Sequence, residues 1–238
     1  MNLKHHFLAC SLLLGAIAAQ GAEMPIKVGV RVGANTSVIS ETRRTPGMTI
    51  DHSTSWKPGF TAGAVVEIPM THNFYLSPGF FFDYRHDDYK LVSAYPVEQD
   101  GVVSMGSRIC TGSVKTNWFQ IPMLVSYRIP LKIIDFQFDF GPYIALGLAG
   151  HDKFSEERYV NDLHSESMII TDNTFGKGLD SRYFNIDWGF DFGAGIIIAR
   201  HYYVGAHYLI GARNLAQNKD IVSKAHSAQW QFSIGYNF

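Results

Sequence analysis

Cysteine is nearly missing from this 238-residue chain; there are two, Cys10 and Cys110. Cys10 falls in an amino-terminal leader described below, so one cysteine remains after it. A single thiol excludes an internal disulfide framework and leaves strand pairing and packing to hold the fold. Long apolar runs are missing too. Beyond the leader no stretch of about eighteen apolar residues occurs, which excludes a membrane-spanning helix. Excess charge is also absent. The leader holds one of the 20 basic residues and none of the 21 acidic ones, so the remainder carries a net charge of −2. That balance excludes a nucleic-acid partner of the usual basic kind.

The chain starts with a leader. Lys4 and two histidines precede an apolar run of about thirteen residues, 7–19, centred on Leu12, Leu13 and Leu14. Ala18, Ala19, Gly21 and Ala22 follow. This pattern reads as a secretory signal peptide over 1–22, too short for a transmembrane anchor. Cys10 precedes the leucines rather than following them, which argues against lipidation at that position.

Eight later segments alternate apolar with small or polar residues, the period of a strand with two unlike faces. They are 26–37, 57–70, 74–85, 116–129, 133–148, 183–198, 201–213 and the terminal run 230–238. In 183–198, Phe184, Ile186, Trp188, Phe190, Phe192, Ala194, Ile196 and Ile198 share one face. Asn185, Asp187, Gly189, Asp191, Gly193 and Gly195 share the other. The last segment sets Trp230, Phe232, Ile234, Tyr236 and Phe238 on one side. Each segment has roughly the nine to eleven residues a tilted transmembrane strand needs, or more. The connections alternate long and short, with tight turns at 70–73, 130–132 and 199–200. This is the pattern of an all-β, eight-stranded antiparallel up-and-down transmembrane β-barrel with long extracellular loops. It forms one domain, 23–238.

A soluble, exported lipocalin-like barrel would also alternate, with its apolar face inward around a ligand. Its outer face would need many Lys and Glu. The polar face here is instead rich in glycine (Gly29, Gly33, Gly63, Gly141, Gly193, Gly205), which suits a narrow lumen. Aromatics near segment ends, namely Trp56, Tyr75, Trp118, Tyr127, Tyr183, Tyr202 and Tyr203, suit interfacial girdles.

The segments 28–37 (VGVRVGANTS), 75–80 (YLSPGF), 119–125 (FQIPMLV), 140–143 (FGPY), 187–195 and 208–215 (YLIGARNL) follow one another as in the PorT-like outer-membrane β-barrel family, which the chain resembles over most of its length. Gly79 stands where many members carry an acidic residue. The resemblance implies an eight-stranded outer-membrane barrel, in most members without an assigned activity, and in one branch tied to protein secretion and gliding machinery.

The polar face carries Arg31, Glu67, Asp83, Arg85, Arg128, Asp135, Asp139, Asp187, Asp191, His207 and Arg213. Charges inside a small barrel must pair, because isolated ones are too costly there. They read as a salt-bridged lumen plug, the alternative being a narrow proton or ion path. His86-Asp87-Asp88, His151-Asp152 and His164-Ser165-Glu166 invite a metal or hydrolase reading. Nothing fixes their mutual spacing, and no catalytic, cofactor or metal residue is assigned. The 149–182 loop, with seven carboxylates, reads as a solvated outer face, and Cys110 as an inert thiol. The expectation is a non-enzymatic outer-membrane protein. Its loops 37–55, 87–115 and 149–182 would bind or assemble on a rigid scaffold. Expected partners are outer-membrane lipid, the barrel-assembly machinery and an envelope protein. A channel, an outer-membrane enzyme and a soluble carrier are the alternatives.

Overall fold

The computed structural model describes residues 25–43, 49–99, 102–160, 163–171, 174–175, 183–216 and 222–238. The leader 1–22 lies outside them. Nine strands occur among these residues: β1 (Lys27–Arg43), β2 (Thr49–Pro69), β3 (Phe74–Gln99), β4 (Val102–Pro130), β5 (Ile134–Val160), β6 (Leu163–Thr171), β7 (Ile186–Ile198), β8 (Tyr202–Gly211) and β9 (Val222–Asn237). All pairings between named strands are antiparallel. Starting at β1, the ladder runs through β2, β3, β4, β5, β7, β8 and β9, and β9 pairs with β1. The ladder therefore returns to its first strand.

Alternation decides which side each residue takes. On β5, Phe136, Phe138 and Phe140 face outward, with Phe140 half exposed at 50%, while Gln137 and Asp139 between them are buried. On β1, Val28, Val30 and Val32 are exposed and Arg31 and Asn35 are buried. The aromatic rings of the outer face pack across strands, as in Phe140 with Phe190 and Phe192 and Tyr208 with Trp230. The result is an apolar band facing out and a polar interior facing in.

The tight connections fall where the sequence places them. Met70 N–H donates to the Phe74 carbonyl, and Leu131 N–H to that of Ile134. Ala199 and Arg200 both take positive φ, 51° and 67°. They are the central residues of a tight turn closed by His201 N–H on the Ile198 carbonyl, within a three-residue connection between the paired Ile198 and Tyr202, and two left-handed residues there match the twist of the flanking strands.

The long connections differ from their reading as loops. Strands β3, β4 and β5 hold 26, 29 and 27 residues. The segment 87–115 is mostly the far part of the β3–β4 hairpin, paired from Asp87↔Val114 to Gln99↔Val102. The segment 149–182 holds the end of β5 and all of β6, so the strands number nine rather than eight. Among the described residues β6 pairs with β5 alone, from Asp152↔Thr171 to Val160↔Leu163. These extensions carry polar residues on both faces and so lack the apolar period that marks a strand in sequence. Backbone pairing, not burial of a greasy stripe, makes them strands. Register shifts at Trp56/Phe60 and Asn117/Trp118 separate the apolar-banded part from the extension, where bulges bend the strands.

Apolar cores lie at the extension end of the interior. One comprises Ile39, Tyr89, Leu91, Cys110, Val114, Tyr183, Leu215, Ala216 and Ala225. A second comprises Trp118, Tyr143, Ala145 and Leu209, and Phe175 packs against both.

Candidate functional site

The inward faces of β1, β2, β3, β4, β5, β7, β8 and β9 bring most of the charged residues into one column. At its centre Glu67 of β2 lies between two arginines. Arg128 of β4 donates to Glu67 Oε1, and Arg31 of β1 stands 3.7 Å from the same oxygen. All three are under 5% exposed. Arg31 also donates to Asn237 Oδ1 at 2.7 Å and lies over the Tyr203 ring, 4.1 Å from its centroid. Arg128 donates through Nε to Gln137 Oε1 at 2.9 Å and covers Tyr75. Gln137 in turn donates to Asp139 at 2.8 Å. His207 Nδ1 meets Asp191 Oδ1 at 2.9 Å, and its Nε2 lies 3.0 Å from the Tyr203 hydroxyl and 3.7 Å from Asp139. Each charge thus has an opposite charge or a polar partner, the condition for tolerating it away from water.

Two further groups sit apart from that chain. Asp83 accepts from Arg85 at 3.2 Å and from Gln231 at 3.1 Å, and Arg85 also donates to Gln120 and lies over Trp118. Asp187 accepts from Ser227 at 2.5 Å and from Tyr143 at 3.1 Å. Asp187 and Asp191 share a face but belong to different groups. Arg213 joins none of these networks. It follows the end of β8, half-buried over the Phe184 ring. Asp135, at the turn end of β5, is likewise only half-buried.

Sequence reasoning missed several members. Tyr75, Trp118, Tyr183 and Tyr203 read as girdle aromatics, but Trp118, Tyr183 and Tyr203 are 1%, 2% and 3% exposed, and Tyr75 lies under Arg128. Position near a strand end suggested the interface, whereas parity decides the face. Tyr75 shares its parity with Ser77 and Asp83, and Tyr203 with Gly205 and His207, all on the inward side. Parity alone was the signal that finds them. Trp56, Tyr127 and Tyr202 do face outward. Glycine makes room for the inward rings. A Cβ on Gly195 would stand 2.8 Å from the Tyr203 ring, and one on Gly193 2.4 Å from the His207 ring.

The interior leaves a cavity of about 40 Å³, lined by Arg31, Glu67, Gln120, Asp139, Tyr203 and His207 among others. That is room for a few water molecules. Toward the extension the column meets Trp118, Phe175, Tyr183, Leu215 and Ala216, which roof it with apolar surface.

The loop motifs are split by alternation. His86, Asp87 and Asp88 lie on β3, with Asp87 buried inward and His86 and Asp88 outward, 3.3 Å apart. On β5 Asp152 turns inward to the Tyr89 hydroxyl while His151 is exposed. Among the described residues no group of three or more His, Cys, Asp or Glu is placed to hold a metal ion. The acidic 149–182 segment is not simply a solvated face, because Asp152 and Glu156 are buried. Burial alone would raise the Glu156 carboxyl. Hydrogen bonds and charge from Arg108 and Arg158 outweigh that and hold it below the ordinary carboxylate range. Cys110 lies buried in the first apolar core.

An antiparallel sheet that pairs back to its first strand, apolar outside and polar within, is the architecture of an outer-membrane β-barrel protein. The sequence matches the outer membrane protein beta-barrel domain over residues 18–217, and the chain belongs to that family. It is an outer-membrane protein, of a class that is generally non-catalytic. No curated protein matches it. Similar solved structures include Ail of Yersinia pestis in complex with the heparin analogue sucrose octasulfate (13% identity, 90% of this chain and 100% of that one, TM-score 0.39). Neisserial surface protein A is 11% identical, covering 89% and 95%, with a TM-score of 0.32. OprG of Pseudomonas aeruginosa is 9% identical, covering 89% and 95%, with a TM-score of 0.33.

Proposed function

We propose that this protein is a non-enzymatic barrel of eight membrane-spanning strands whose lumen is plugged by the charged network and whose extended sheet is a binding or assembly surface outside the cell. In this reading residues 1–22 are a signal peptide removed on export, and 23–238 form the barrel domain. Outer-membrane lipid surrounds it, the barrel-assembly machinery inserts it, and an envelope protein is its partner. The order of motifs from 28–37 to 208–215 supports a place in the PorT-like branch of the family.

One observation carries the proposal. Strands β3, β4 and β5 are roughly fifteen residues longer than a bilayer requires. They stay hydrogen-bonded to one another, and β6 adds to them. Such a sheet, standing on a rigid cylinder, offers a large preformed surface at low ordering cost. The Arg31–Glu67–Arg128 bridge and the apolar roof support the plug.

A narrow pore is the second reading. Its support is the polar column itself, in which Glu67 Oε2 and Arg85 Nε make no hydrogen bond to the described residues. Planar-bilayer recording separates the two. Silent membranes containing protein that shifts between unboiled and boiled gel lanes support the plug. Discrete conductance steps that change with Glu67→Ala or Arg128→Ala support the pore and overturn the plug.

A further inference from the structure

The outward face of the sheet changes character abruptly above the apolar band. One row crosses β3, β4 and β5 as Phe82, Phe119 and Leu146, and the next as Tyr84, Asn117 and Ala149. The row after that is His86, Lys115 and His151, paired in register across the same three strands. The following one is Asp88, Ser113 and Lys153, flanked by Lys57 on β2. Lys90 and Thr111 begin the next, with Ser155. Neighbouring strands lie about 4.8 Å apart and successive same-face residues about 7 Å apart. Lys115 and Lys153 are therefore roughly 8 Å from each other, and a single phosphate group with its sugar fits between them.

The belt is mainly basic. Its acid within these rows, Asp88, is already engaged by Lys57 at 2.9 Å and His86 at 3.3 Å, and Glu157 and Glu166 stand one row beyond Ser155. Lys90, Lys115 and Lys153 are exposed and have no carboxylate partner among the described residues. Hydroxyls lie among the cations: Ser113 Oγ is 2.9 Å from His86 Nε2 and Ser155 donates to Glu166 at 3.4 Å, and each oxygen keeps a lone pair to accept from a ligand hydroxyl. Asp88, Thr111, Ser113, Lys153, Ser155 and Met168 border a shallow depression of about 220 Å³ on the same face. Lysines placed one or two rows beyond a lipid-facing aromatic surface stand at headgroup height, with their stems along the acyl chains.

We infer that this belt binds an anionic, phosphate-bearing glycolipid headgroup of the outer leaflet, with Lys115 and Lys153 on the phosphate and Thr111, Ser113 and Ser155 on the sugar. The inference rests on the membrane-barrel reading above, which puts the extended side of the sheet at the outer leaflet. It adds the class of lipid and the residues that hold it. The opposite end of the cylinder carries Lys132 on a short turn, away from this belt, and serves as the comparison.

The test uses the full mature chain folded in neutral detergent micelles. Binding of bis-phosphorylated lipid A, and of the same lipid after phosphatase treatment, is titrated by native mass spectrometry. The expected result is binding that depends on phosphate. K115Q and K153Q should each weaken it about fivefold and the double variant about thirtyfold, while K132Q leaves it unchanged. Equal binding of the two lipid forms overturns the inference. So does unchanged binding by the double variant, or displacement of the lipid by inorganic phosphate. A boiled-versus-unboiled gel shift is recorded for every variant. If the double variant loses it, the two single variants decide. If the unsubstituted protein lacks it, the membrane-barrel reading fails and not the lipid site alone.

Discussion

Glu67 shows how a single residue governs this interior. It faces Arg128 and Arg31, and all three are buried. Two guanidiniums without the carboxylate between them leave uncompensated charge out of water, at a cost of about 3–5 kcal/mol. Glu67→Gln should lower the urea midpoint of the folded protein in micelles accordingly. Replacing all three by apolar residues of similar volume should recover most of that loss. Glu156 makes a pH-dependent counterpart outside the membrane. Its carboxyl sits below the ordinary range because Arg108 and Arg158 outweigh its burial. A lowered folded-state value means that the stabilisation is present above the ordinary carboxylate range and fades as pH falls through the folded value. Limited proteolysis of the extended sheet should therefore accelerate in acid for the native chain. In Glu156→Gln it should be faster already at neutral pH and change little with acid. An unaltered acid response in that variant would assign the effect to another group.

At the scale of elements, the extension and the ring separate. The β3–β4 hairpin beyond Val92↔Ile109 pairs with the far part of β5, through Ser107↔Tyr159 and Arg108↔Arg158, and with the start of β2, through Thr49↔Ala94 and Ile50↔Ser93. None of those pairs closes the cylinder. Deleting 93–108 should leave the heat-dependent gel shift intact while removing the tip of the outer surface. Loss of the shift would mean that the hairpin organises the barrel. The β7–β8 turn is the opposite case, short and strained. Ala199 and Arg200 hold positive φ with side chains that disfavour it. Exchanging them for Asn-Gly, which suits a type I′ turn, should stabilise the protein by about 1 kcal/mol in urea unfolding.

The whole molecule is decided by what surrounds it. On the outer face Phe140 stacks on Phe190 and tilts against Phe192, all three half exposed. In lipid, Phe140→Arg at mid-height should cost about 2–4 kcal/mol, read as a lower urea midpoint in vesicles. In a water-soluble barrel of the same fold the change would be near neutral or favourable. This one substitution tests the environment rather than the packing.

The period of two in 26–37, 133–148, 183–198 and 230–238 determined the outward and the inward face, and the alternation of long and short connections the antiparallel up-and-down order. A strand has only two sides, and residue chemistry alone says which is greasy. The inward set of Arg31, Glu67, Asp83, Arg128, Asp139, Asp187, Asp191 and His207 was legible by the same parity. Their pairing was not, because residues 36 or 61 positions apart meet only through register and closure: Arg31 with Glu67, Glu67 with Arg128. The same parity places Trp118 and Tyr203 inward. Tertiary structure decided that they pack against Arg85 and Arg31 and that Arg213 stands aside. It turned the polar segments 87–115 and 149–160 into strands. Those segments bury no continuous apolar stripe, so their conformation is written in backbone hydrogen bonds to neighbours, which no local pattern of side chains records.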